Sequence, residues 1–127
     1  MLFRSDPALR FTPGPVRTLA RCIASALAHL HGRGLMHGDV YGHNILWDGN
    51  DGHAVLGDFG AASTLPGGTA GRALARAETL AFGIMLGEVL ERCDAAPADL
   101  RDLERACTGP APEARPAMAD VADALAR

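Results

Sequence analysis

The sequence predicts a mainly α fold with a few short β-strands near its middle, and three observations carry that expectation. Two stretches, residues 13–32 and 74–92, hold apolar residues at helical spacing over several turns. Between them lie short apolar runs separated by glycine- and asparagine-containing turns, too short for helices. Two brief amphipathic stretches, Leu100 to Cys107 and Pro116 to Leu125, close the chain. The 127 residues, 48% of them hydrophobic, fit one globular domain spanning residues 1–127. A domain of that size buries roughly two-thirds of its unfolded surface.

The first helix is expected to start at Thr12-Pro13, an N-cap residue followed by a proline suited to the first turn. Leu19, Ile23, Ala26, Leu27 and Leu30 then recur at three- and four-residue steps, and Gly32-Arg33-Gly34 supplies the glycine stop signal. Leu35-Met36, Ile45-Leu46-Trp47 and Ala54-Val55-Leu56 read as short strands, the last two joined by the turn Asp48-Gly49-Asn50-Asp51-Gly52. From Leu74 to Arg92 a second helix carries Leu80, Phe82, Ile84, Met85, Leu86, Val89 and Leu90, apolar on most faces, which argues for burial. Within the segment 61–77, Leu65-Pro66-Gly67-Gly68-Thr69-Ala70-Gly71 reads as a glycine-rich loop.

The net charge of −3, with charges scattered along the chain, offers no basic field for nucleic acid or an anionic membrane. Cys22, Cys93 and Cys107 lack CxxC spacing, so neither a disulfide framework nor a zinc site is expected. The most apolar stretch, Thr79 to Leu90, is far short of the ~20 residues of a membrane span and contains Glu88. With no signal-peptide pattern at the N-terminus, a cytoplasmic location is expected.

The chemistry concentrates in His37-Gly38-Asp39-Val40-Tyr41-Gly42-His43-Asn44 and, after it, Asp58-Phe59-Gly60. A single Asp beside a glycine is ordinarily a turn cap. Here Asp39, Asn44 and Asp58 together form a set of hard oxygen donors suited to magnesium and a phosphate-bearing ligand. His37, between Met36 and Gly38, reads as a packed side chain rather than a base. His29 and His31 lie two apart on a helix, facing different ways, and are not expected to chelate. His43 and His53 read as loop surface.

These two motifs, in this order, resemble those of the protein kinase catalytic domain, whose H-R-D-x-x-x-x-N and D-F-G segments they match. The resemblance runs from about Phe11 to Leu125 and implies a protein-kinase-like C-terminal lobe, the ATP-covering N-terminal lobe being absent. It implies that Asp39 is catalytic and orients a Ser or Thr hydroxyl, while Asn44 and Asp58 hold Mg2+ and, through it, ATP. Glu78-Thr79-Leu80-Ala81-Phe82-Gly83 resembles the family's D-x-W-S-F-G, with Glu78 in place of the Asp that steadies the catalytic loop. Cys107, Pro112, Arg115 and Pro116 match a C-x-x-x-x-P-x-x-R-P pattern near the end of kinase domains.

The departures matter equally. All twelve basic residues are arginine, so no lysine is available to pair with the α- and β-phosphates, and position 41, where protein kinases often place a second lysine, is Tyr. No G-x-G-x-x-G occurs, and only 36 residues precede His37, too few for a nucleotide-covering lobe. Gly38 replaces the arginine that would tie the loop to a phosphorylated activation segment, and no A-P-E offers Arg115 a Glu. The expected partners are ATP and a protein substrate, together with a chain supplying the missing lobe, and neither nucleic acid nor a membrane. The expected activity is that of a Ser/Thr protein kinase homologue, a phosphotransferase silent as the isolated chain. One alternative is a small-molecule kinase resembling aminoglycoside and choline phosphotransferases, whose loop often reads H-G-D-x-x-x-x-N; another is a noncatalytic pseudokinase or interaction module. Exposure of apolar side chains near Met36, Leu46 and Leu56 is the expected mark of a missing lobe.

Overall fold

Helix α1 (Pro13–Gly32) begins where proline costs no hydrogen bond, at the first helical position after Thr12, in a computed structural model that describes residues 10–41, 44–48 and 51–127. Thr12 occupies the N-cap in extended conformation without a side-chain cap bond. Gly34, at φ 73°, takes the left-handed turn after the helix, and its N–H reaches the His31 carbonyl at 3.0 Å. The buried face of α1, formed by Val16, Leu19, Ala20, Ile23, Ala24 and Leu27, follows the predicted period.

Strands β1 (Leu35–Met36), β2 (Ile45–Trp47) and β3 (Ala54–Leu56) fall where the sequence places them. Strand β2 pairs antiparallel with β3, Ile45 opposite Leu56, Leu46 opposite Val55 and Trp47 opposite Ala54. A fourth strand, β4 (Ser63–Thr64), pairs antiparallel with β1 and is absent from the sequence reading. Two exposed polar residues carry no alternation to announce a strand; its partner alone defines it.

Helix α2 (Gly68–Glu91) starts six residues earlier than predicted and takes in the glycine-rich segment read as loop. Gly71 sits so close to the Pro66 carbonyl that any side chain there would collide with it, which ties a packing role to a residue read as a breaker. Burial of α2 is concentrated from Glu78 to Leu90, with Phe82, Met85, Leu86, Val89 and Leu90 inside, whereas Leu74 and Ile84 face solvent. The chain ends in α3 (Ala98–Cys107) and α4 (Met118–Ala126), with a single 3₁₀ turn (Pro112–Ala114) between them.

Helix α1 packs most extensively on α4, and α2 on α3. One apolar cluster unites them with β2 and β3, from Val16 and Leu19 through Ile45 and Trp47 to Phe82, Leu100, Met118 and Leu125. Phe11 joins this framework by stacking edge-on against Trp47 at 4.4 Å, while its backbone bonds to Arg92 and Asp94 beyond the end of α2. The three cysteines are free thiols, Cys93 and Cys107 buried. Burial, aided by nearby Glu104, pushes the Cys107 thiol up to about 12.

The exposed apolar side chains differ in detail from the expected set. Leu46 is 54% exposed, as predicted, but Leu56 is 6% exposed and Met36 is half-buried. Strand register explains the exchange: Leu56 pairs with the core residue Ile45, so the outward partner of Leu46 is Val55, 64% exposed.

Candidate functional site

Asp39 and Asn44 are brought together by the turn that leads from β1 into β2. The Asn44 amide nitrogen donates to the Asp39 carbonyl at 2.7 Å and to its carboxylate Oδ2 at 2.9 Å. Both partners are acceptors, so the amide orientation is fixed and Asn44 Oδ1 remains an oxygen donor for a cation. Asn44 is 6% exposed and Asp39 half-buried, which places this pair at the lip of the core.

Asp58 joins through the backbone: the Gly57 N–H donates to the Asn44 carbonyl at 2.8 Å, extending the β2–β3 ladder to the residue before Asp58. Asp58 itself is exposed and adopts a left-handed conformation (φ 53°, ψ 78°), with its carboxylate accepting the Gly60 N–H at 3.3 Å. A short carboxylate that bonds its own backbone two residues on is among the few non-glycine side chains suited to that conformation. The following 3₁₀ turn (Phe59–Ala61) swings Phe59 edge-on against the His37 ring at 5.0 Å.

His37 is fully buried and structural, as the sequence suggests. Its Nε2 reaches the Gly57 carbonyl at 2.8 Å and its Nδ1 receives the Asp39 N–H at 3.1 Å. A carbonyl only accepts and an amide N–H only donates, so the ring is the Nε2–H tautomer. One imidazole thereby links the backbone of Asp39 to the residue preceding Asp58.

Glu78, from α2, grips the same loop from below. Its Oε1 accepts the His37 N–H at 2.9 Å and its Oε2 the Gly38 N–H at 2.7 Å. His31, on the last turn of α1, adds a third bond, Nε2 to Oε1 at 2.9 Å. Burial pushes the Glu78 carboxyl up, but the His31 hydrogen bond, the two backbone N–H bonds and the charge of His31 outweigh it and leave it below the usual glutamate range. Glu78 therefore does from a longer arm what the sequence assigned to it. The His31 contact escaped the sequence reading because 47 residues separate the partners and no local spacing connects them.

Gly38 has its own structural requirement. At φ 88°, a Cβ on it would lie 2.5 Å from the Ala61 carbonyl oxygen, so neither the backbone nor the space suits an arginine there. Arg115, left without a glutamate in the sequence reading, is 8% exposed and donates to the carbonyls of Gly109 at 2.7 Å and Arg76 at 3.2 Å. His53 is exposed, while His43 lies outside the described residues.

The donor chemistry fits magnesium: a fixed amide oxygen and an exposed carboxylate, both hard ligands. Among the described residues no three His, Cys, Asp or Glu side chains converge into a metal cage. Magnesium sites of the phosphoryl-transfer kind take one or two carboxylates and complete the shell with phosphate oxygens and water.

Comparison with known proteins decides the family. The model of the protein kinase domain matches residues 4–98. The chain belongs to the protein kinase domain family. Over 54 residues it is 48% identical to the CTD kinase subunit alpha of Schizosaccharomyces pombe (strain 972 / ATCC 24843), covering 42% of this chain and 9% of that protein. Serine/threonine-protein kinase AtPK1/AtPK6 of Arabidopsis thaliana is 46% identical over 61 residues, 48% of this chain and 11% of the relative. The probable serine/threonine-protein kinase WNK8 of Oryza sativa subsp. japonica is 41% identical over 59 residues, 46% of this chain and 10% of the relative. The match thus spans about a tenth of the length of these curated relatives. Domains of this family use ATP and Mg2+ as a class. No described helix is long and apolar enough to cross a membrane.

Proposed function

We propose that residues 1–127 form a single unit equivalent to the C-terminal lobe of a protein kinase, contributing the metal-holding and hydroxyl-aiming wall of an ATP-dependent Ser/Thr phosphotransferase. The observation that carries this reading is the double hydrogen bond from Asn44 to Asp39, which fixes an amide oxygen beside a carboxylate, the two kinds of group that hold metal and aim a hydroxyl in phosphoryl transfer. Asn44 and Asp58 would hold magnesium, which when bound neutralises charge on the transferring phosphate. Asp39 would accept the hydrogen bond of a Ser or Thr hydroxyl and take its proton as the phosphoryl group transfers. Buried His37 and Glu78 hold Asp39 in register without touching the substrate.

The chain contains no lysine and no glycine-rich phosphate loop, so the groups that grip the nucleotide from the other side come from outside these 127 residues. Exposed Leu46 and Val55 on the β2–β3 face fit such a complement. The small-molecule kinase reading draws support from Gly38, whose backbone suits H-G-D and excludes H-R-D, but the matched relatives named as serine/threonine kinases favour a protein substrate.

The test is titration of the chain with ATP in the presence and absence of Mg2+, followed by calorimetry or NMR. Weak binding that needs magnesium is expected, reduced at least about tenfold in Asp58→Ala, which removes a charged ligand. Phosphate transfer to a protein substrate is expected only after a lobe carrying the lysine and glycine loop is supplied. Binding indifferent to both magnesium and Asp58 would overturn the assignment, and vigorous transfer by the isolated chain would overturn the single-wall reading.

A further inference from the structure

We propose that the protein substrate of this site is acidic: carboxylates a few residues from its Ser or Thr dock on Arg72 and Arg76 of α2, in a cleft that adjoins the one beside Asp39. The inference rests on the reading of Asp39 as the residue that aims the hydroxyl.

Two clefts open along α2. The smaller, of about 180 Å³, is lined by Gly38 and Val40, the chain neighbours of Asp39, by Tyr41, and by Ala77 and Ala81 of α2. The larger, of about 350 Å³, is lined by Arg72, Ala73 and Arg76 of α2 and by Pro112 and Glu113 of the 3₁₀ turn before α4. Ala73 and Ala77 are one helical turn apart and share a face, so the two clefts adjoin along it. Along the helix axis Ala81 is about 7.5 Å from Arg76 and about 13.5 Å from Arg72, the span of about two and four residues of extended peptide. A substrate that places its hydroxyl at Asp39 therefore brings those nearby residues within reach of the two arginines.

The charges in the larger cleft are spare. Arg76 is half-buried, and its guanidinium has no hydrogen-bond or ion-pair partner among the described residues. Arg72 is exposed and donates to Thr69 Oγ1 at 3.4 Å, the long end of a hydrogen bond. Behind them Arg115, 8% exposed, donates to the carbonyls of Gly109 and Arg76 and has no carboxylate partner among the described residues. Glu113 is the acidic residue lining the cleft, and it pairs with none of the three.

Between Gly68 and Ala77, α2 carries no other charge. Like charges one turn apart oppose helix formation, so the stability of α2 does not explain the pair. The result is a local positive field on a chain whose net charge is −3. Two side chains are too few for a nucleic-acid backbone, and their planar forks match carboxylates. A free phosphate satisfies the same forks but leaves the track from Ala73 to Ala81 uncovered, whereas a peptide covers it.

The experiment titrates the 15N-labelled chain, without nucleotide, with a short peptide in which glutamates stand at the second, third and fourth positions on either side of one Ser, and with its glutamine counterpart. The acidic peptide is expected to shift the Arg72, Ala73, Arg76 and Ala77 amides together with those of Gly38 and Val40. It should bind at least about tenfold more tightly than the glutamine peptide at low salt, a gap that closes as salt is added. Joint Arg72→Gln and Arg76→Gln substitution should erase the preference, while Arg105→Gln, on α3, keeps it. Inorganic phosphate should shift the same amides far less.

Equal binding of the two peptides overturns the proposal and needs no variant to fold; so does a preference that survives the double substitution. Shifts at Arg72 and Arg76 with none at Gly38 and Val40 also overturn it, because the arginines then serve an acidic partner other than the substrate. Phosphate shifts equal to those of the peptide mark a free-anion site, and shifts that follow the concentration of the chain itself mark an interface between copies; either overturns it. Loss of the acidic preference with magnesium–ATP binding intact refutes this inference alone, and the reverse refutes the kinase reading.

Discussion

In the core, α1 and α2 present eleven apolar buried side chains at helical spacing, whereas His37, Gly38, Asp39 and Asn44 are held by individual directional hydrogen bonds. The first arrangement is redundant and the second is not. Packing is non-directional, so a core residue contributes its area largely independently of the others. A hydrogen-bonded loop depends on direction: loss of one acceptor leaves its donors buried and unpaired. Stability therefore resides in one region and geometry in the other, and variants can separate the two.

The largest expected effect lies in the core. Phe82 is fully buried in α2, and Phe82→Ala should cost about 3–5 kcal/mol, the range for truncating a buried aromatic. Urea unfolding measures that loss, while the NMR signals of Gly38 and Asn44 in the remaining folded molecules should stay in place. Displaced loop signals without a stability loss would reverse the assignment of roles to the two regions.

Glu78→Gln sharpens the comparison from the other side. An amide keeps the size of the side chain but offers one acceptor where the structure needs an acceptor toward His31, His37 and Gly38, so a cost of about 1–3 kcal/mol is expected, with loop signals displaced. The pH dependence follows from the sign of the shift. The folded Glu78 carboxyl lies below its ordinary value of 4.5 because its hydrogen bonds outweigh its burial. Protons then bind the unfolded chain more readily, so the stabilisation is complete above that value and is lost as pH falls through the lower, folded one. The wild-type urea midpoint should fall as pH drops below the ordinary glutamate range, and the slope should be shallower in Glu78→Gln. An identical slope in the two proteins would show that Glu78 does not carry it.

The same contrast explains what was legible in the sequence. Thr12-Pro13, the apolar steps from Leu19 to Leu30 and the closing glycines announce α1, because helix ends and amphipathic faces are encoded locally. Asp39 and Asn44 were legible as a pair because the motif that holds them is contiguous in the chain, although the hydrogen bonds between them were not. The start of α2 was not: Gly67, Gly68 and Gly71 look like loop residues, yet Gly71 is there because the Pro66 carbonyl passes too close for any side chain. Nor were the His31–Glu78 bond and the β1–β4 pairing, which exist only once distant segments meet. The outward residue on β3 was misassigned because a three-residue strand gives a period-2 pattern too little length to fix its register.

The smallest expected effect compares two residues that share one backbone conformation, Ala95 at φ 55° and Asp58 at φ 53°. Left-handed backbone costs an L-residue about 1–2 kcal/mol, partly offset on substitution by the greater freedom of glycine when unfolded. Ala95, in the turn after α2, has only a methyl group and draws nothing from its conformation. Ala95→Gly should therefore raise stability by about 0.5–1 kcal/mol, read as a higher urea midpoint, with magnesium–nucleotide binding unchanged. Asp58 recovers part of the same strain through its bond to the Gly60 N–H, so Asp58→Gly should give a smaller gain or none while abolishing the magnesium dependence of binding. If both glycine variants stabilise alike and both still bind nucleotide with magnesium, the strain at Asp58 is incidental. If they part as expected, the left-handed turn at Asp58 is kept for its carboxylate rather than for the fold.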